Sequence, residues 1–139
     1  MTSQSPPLDQ IPDEEILSRF VLSKSWIRFD NSIKPNAFMP PPDLNLSVTA
    51  SSQLSDDEIW LIGQDVAQNR PDGKLRGRAD ISALNARSQS LDAIANPIPN
   101  NIHHTHIVGW PTDKPLQKII AQELADAARF LPNPNSETA

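Results

Sequence analysis

A chain of 139 residues with no cysteine and a net charge of −5 is sized for one domain, and it can build a core without disulfides or a thiolate metal site. No apolar run approaches the roughly 18 residues that a membrane helix needs, and Met1-Thr2-Ser3-Gln4-Ser5-Pro6-Pro7 offers neither region of a secretory signal. The expected setting is soluble and cytoplasmic, with no membrane partner.

The charge is gathered at the ends. Asp9, Asp13, Glu14 and Glu15 precede any base, and Glu137 lies near the other terminus. Without these five acids the chain carries 12 acids and 12 bases, so its body is neutral and a general nucleic-acid surface is disfavoured. One basic stretch remains, with Arg70, Lys74, Arg76, Arg78 and Arg87 set against Asp72 and Asp80.

Residues 1–15 read as a flexible acidic tail, with one helical turn at Pro12–Leu17. Residues 16–131 read as a single domain. Ser18–Ile27 alternates Phe20, Leu22 and Trp26 with Arg19, Ser23 and Lys24, which predicts a strand. Asp30-Asn31-Ser32 is a turn, and Ile33–Met39 is expected to be extended because Lys34 precedes proline. Pro40-Pro41-Pro42 is a stiff connector. Leu44–Thr49 alternates as a half-buried strand.

Leu54–Asn69 carries the clearest local signal. Ser55 and Glu58 form a capping box, Leu54 and Ile59 occupy the staple positions, and acids fill the first turn. Ile59, Ile62, Val66 and Ala67 define a buried face. Gly63 on that face calls for a closely packed strand beneath it. Lys74–Ile81 predicts a strand, Asp80 the cap of a short helix to about Ser88, Leu91–Ala95 a strand, and Asn96–Asn101 a loop. Ile102–Val108 predicts another strand. Gly109-Trp110-Pro111 turns the chain into a last helix, capped by Thr112 or Asp113, whose expected stripe is Leu116, Ile119, Ile120, Leu124 and Ala127. That helix is expected to end near Leu131, leaving residues 132–139 as a tail. These elements predict an α+β domain with one mixed or antiparallel sheet and two main helices mainly on one face.

Several stretches together resemble a family of short bacterial proteins of uncharacterised function. They are Ala37-Phe38-Met39-Pro40, Leu46-Ser47-Val48, Ile59-Trp60 with Gly63, Gly77-Arg78-Ala79-Asp80-Ile81, and His104-x-x-Ile107-x-Gly109-Trp110-Pro111 followed by Asp113-Lys114. The resemblance spans about residues 18–131. It implies a bacterial source and no particular activity, and its pattern has asparagine where this chain has His106.

The chemistry-bearing residues do not compose a catalytic set. His104 and His106 share one face of a strand and His103 takes the other, so a zinc site would need a ligand such as Asp80 or Asp113 from elsewhere. There is no His-Glu-x-x-His, no Gly-x-Ser-x-Gly and no phosphate loop, with four glycines in the whole chain. No cofactor or metal is expected. Arg76 and Arg78 with Lys74 and Arg87 can form an anion site, joined by Arg28 and Lys34, or can be a solvated edge. Trp110, on a turn, is the tryptophan expected to be exposed. The expected binding face is therefore Arg76, Arg78, Asp80, His104 and Trp110, beside the free N–H groups at the start of the last helix. The leading expectation is a non-enzymatic accessory protein with a protein partner. The alternatives are a small enzyme or anion-binding domain with a pocket near His104, Arg78 and Asp80, and a nucleic-acid-associated protein using residues 70–87.

Overall fold

The structure, a computed structural model, describes residues 11–134 apart from 72. Most of the expected acidic tail, residues 1–10, and the end of the other, 135–139, lie outside the described residues.

The fold is α+β, one domain built on a six-stranded antiparallel sheet. Its strands are β1 (Ile16–Val21), β2 (Leu46–Ala50), β3 (Gly77–Ser82), β4 (Asp92–Ala95), β5 (His104–Val108) and β6 (Arg129–Pro132), in the order β4-β5-β2-β1-β3-β6. The helices are α1 (Asp56–Gln68), α2 (Ala83–Arg87) and α3 (Lys114–Ala127).

The pleat sorts the strand residues into two cores. Leu17, Val21, Leu46, Val48, Ala79, Ile81 and Ile107 face one way and bury α2, α3 and the turn at Pro35–Phe38. Phe20 faces the other way and packs with Ile59 and Ala67 of α1. The helices are therefore divided between the two faces, not gathered on one. Gly63 is explained by this packing: a Cβ there would stand 2.7 Å from the Phe20 ring.

Local chemistry accounts for α1. Ser55 Oγ accepts from the Glu58 amide at 3.2 Å, and Glu58 Oε1 accepts from the Ser55 amide at 2.8 Å. Leu54 and Ile59 meet in one apolar cluster, as a staple requires. Ser55→Ala is expected to lower stability by about 1 kcal/mol, read as a shift of the urea midpoint. An unshifted midpoint would mean that Ser55 does not cap this helix.

Several boundaries differ from expectation. Glu15 closes a turn onto Pro12, so no helix forms there and β1 starts at Ile16. It ends at Val21, before a 3-10 turn at Lys24–Trp26. Pro35–Phe38 is a 3-10 turn as well, with Pro35 seated at its start where a proline needs no donor. Leu44 has φ +61°, a left-handed geometry that keeps it out of β2. Asp80 stays in β3, and Ser82 caps α2 with Asn85 in a reciprocal box.

Two departures concern α3. Its buried residues are Gln117, Ala121, Leu124 and Ala125, while Leu116 and Ile119 are 48% and 59% exposed. Small side chains allow α3 to lie close against Ala37 and Phe38, so the longer residues turn outward. After Ala127 the chain becomes β6, which pairs with β3 from Gly77↔Pro132 to Asp80↔Arg129 and brings Asn133 to the Arg76 carbonyl.

Candidate functional site

The five residues expected to form one face divide among three places: Arg76, Arg78 and Asp80 stay together along β3, while His104 and Trp110 lie elsewhere. Trp110 is 5% exposed and its Nε1 donates to the Ile107 carbonyl at 3.1 Å, inside the core beside α3. Gly109, at φ +95°, makes the reversal that folds the indole inward. Asp113 caps α3 by accepting from the Leu116 amide at 3.2 Å. The helix start is thus occupied by the chain's own carboxylate, which repels an incoming anion.

Arg78 and Asp80 fasten α1 to the sheet. Arg78 is 6% exposed; its Nε lies 3.2 Å from Asp80 and its Nη2 3.0 Å from Asp56, and its guanidinium stacks over Trp60 at 4.8 Å. Ser18 Oγ donates to Asp80 at 2.7 Å and shares a hydrogen bond with Ser51 at 2.8 Å. Arg76 joins this layer through its backbone, donating to the Val21 carbonyl, and its Nε is buried without a partner among the described residues. His104 lies on the same sheet face, but the register Asp80↔Ser18, Ser18↔Thr49, Thr49↔His104 puts it three strands from Asp80. At about 4.8 Å per strand the separation is about 14 Å, so no small ligand touches both.

His104 helps line a different site, which residue spacing did not reveal. Pairing between β1 and β2 is confined to Leu17↔Ala50 and Ser18↔Thr49. Beyond it the strands part, and Arg19 occupies the opening. Its Nε donates to the Ala37 carbonyl at 2.8 Å, its Nη1 to the Ser47 carbonyl at 3.0 Å, and its guanidinium lies 5.5 Å from the Trp26 ring. Above this opening, α1 leaves a cleft of about 200 Å³ with mostly apolar walls, Phe20, Leu22, Ile62 and Val66 among them. Arg19, Arg70, Asn101 and His104 add the polar edge.

The electrostatics of this cleft are unbalanced. Neither Arg19 nor Arg70 has an ion-pair partner among the described residues, whereas Arg78 and Arg87 each hold two carboxylates. Withdrawal from water, followed by the nearby charge of Arg70, lowers Arg19 to about 10. The acid on the wall, Asp65, accepts from Asn100 at 3.1 Å instead. His104 Nδ1 lies 2.9 Å from the Asn96 carbonyl, which can only accept, so in the neutral ring the proton sits on Nδ1 and Nε2 is an acceptor. His106, 4.9 Å from His104, is held below the usual imidazole range by burial and then by that neighbour, with Asp43 opposing.

Arg19 was hidden by its alternating neighbours, which read it as an outward polar residue. The available signal was its company: Ile16-Leu17-Ser18-Arg19-Phe20-Val21-Leu22 holds one cation in a nearly continuous apolar run, the mark of a strand covered on both faces. Arg70 belongs to a basic stretch in which two of the five bases are neutralised, Arg78 by Asp56 and Asp80 and Arg87 by Asp13 and Asp92.

Among the described residues no group of three or more histidines and carboxylates could hold a metal ion, and no helix is long and apolar enough to cross a membrane. No family model, no curated protein and no solved structure matches this chain.

Proposed function

We propose that this chain is a small non-enzymatic binding protein whose cleft between α1 and the β1–β2 opening takes an organic anion. The observation that carries the reading is the Arg19 guanidinium, held on an apolar wall without a counter-ion. A desolvated charge is costly until it is paired. A carboxylate or phosphate between Arg19 and Arg70 supplies that pairing, and the apolar remainder of the ligand covers Phe20, Ile62 and Val66. Nothing in the cleft pairs a nucleophile with a base, so we assign binding and not turnover. The setting we assign is a bacterial cytoplasm, on the resemblance of the motifs and the composition.

Isothermal titration with 4-phenylbutyrate and with its neutral amide tests this. The acid is expected to bind and the amide to bind at least about tenfold more weakly, since a charged hydrogen bond contributes about 1.5–3 kcal/mol. Arg19→Met is expected to erase the difference. Equal affinity for acid and amide would sink the proposal.

A further inference from the structure

The cleft is the middle of a longer groove. It shares Ile62, Asn100 and Asn101 with a hollow of about 350 Å³ that is also lined by Leu61 and Ile102. On its other side it shares Leu22, Trp26 and Arg70 with a hollow of about 240 Å³ that reaches Pro71 and Gly73. The three run beside α1 and the turns at its two ends, from Leu54 to Arg70, and the helix itself is about 20 Å long. That is the length of about six residues of extended chain.

Two features of the groove point to its occupant. Leu61 and Ile102 are 71% and 72% exposed, yet they line one hollow from two separate elements, α1 and the loop before β5, together with Leu54 and Pro99. Scattered exposed apolar residues need no explanation; two that line the same hollow form a seat for an apolar side chain. Arg19 and Arg70 form the unpaired positive centre further along. Leu61 lies seven residues before the end of α1, about 10 Å along the helix, and Arg70 follows two residues beyond that end, so about four extended residues span the distance. The groove continues beyond Arg70 into the third hollow, so the bound chain does not have to end at the cations.

We infer that the groove binds an extended segment of a partner protein, with an aspartate or glutamate side chain against Arg19 and Arg70 and an apolar side chain about four residues away between Leu61 and Ile102. This rests on the anion reading of the cleft and names the anion's source. An acyl chain would need closed apolar walls, and this groove is edged by Asn100, Asn101 and His104, which suit a peptide backbone.

Selection from a displayed library of random dodecapeptides tests the inference, with 4-phenylbutyrate titrated against the same protein samples. Enriched peptides are expected to share an acid and an apolar residue about four positions apart. Replacing that acid by its amide is expected to weaken binding at least tenfold. Ile102→Asp and Arg70→Ala, both at exposed positions that leave the core untouched, should each do the same. Phenylbutyrate should weaken with Arg70→Ala alone. Enrichment that survives Ile102→Asp, or binding that depends on a free peptide carboxyl terminus, would overturn the inference. If phenylbutyrate binds and no peptide is enriched, the peptide is wrong and the anion cleft stands. If neither binds, both readings fall.

Discussion

Trp110→Ala is expected to destabilise the protein by about 3–5 kcal/mol, the range for deleting a buried aromatic side chain. The indole is 5% exposed in the core that contains Phe38, Ile107 and Leu124, and its Nε1 holds the Ile107 carbonyl. Truncation leaves a cavity and removes the indole donor from the Ile107 carbonyl. Trp110→Phe keeps most of the volume and loses the hydrogen bond, so a smaller cost of about 1 kcal/mol is expected. Urea unfolding of both variants measures this directly. A loss below about 1 kcal/mol for the alanine variant would mean that the ring does not fill the core. Neither substitution touches the groove, so a folded Trp110→Phe protein should bind 4-phenylbutyrate as the unaltered chain does.

How far the sequence was legible follows from which interactions are local. The capping box of α1 involves Ser55 and Glu58, three residues apart, and it stands where expected. So do the Asp113 cap and the strands around Ser47, Ala93 and Thr105, because alternation and capping are properties of a few consecutive residues. What was hidden depends on partners far along the chain. β6 ends in Pro132 and carries little strand signal, and it exists because β3 offers it an edge. The buried face of α3 is set by Ala37 and Phe38, which admit Ala121 and Ala125 but leave Ile119 outside. Trp110 turns inward because Gly109 reverses the chain, and a Gly-Trp-Pro run by itself is equally compatible with exposure. Arg19 could be recognised only once the shortness of the β1–β2 pairing was seen. The expected grouping of His104 with Arg78 and Asp80 failed for the same reason: two strands, β1 and β2, insert between them, and no local pattern reports strand order.

Asp80→Ala is expected to cost about 3 kcal/mol, near the lower end of what breaking a buried ion pair costs. The reason is the charge left behind. Arg78 stays buried, its Nη1 already lacks a partner among the described residues, and Asp56, the other carboxylate, is 79% exposed at its side chain and therefore screened by water. Ser18 loses its acceptor as well, although Ser51 remains within reach. Replacing both charges with apolar groups tests whether the penalty comes from the orphaned guanidinium. In Arg78→Met/Asp80→Leu the stranded charge is gone, and the loss is expected to be smaller than in Asp80→Ala alone, giving a favourable coupling in a double-mutant cycle. If the double variant is instead as unstable as the sum of the single ones, the pair acts through packing against Trp60 and not through charge. Either result separates this layer from the groove. Arg78 and Asp80 hold α1 down, while Arg19 and Arg70 stand along the space that α1 leaves open, so folded Asp80 variants should retain anion binding and Arg70→Ala should lose it with little change in stability.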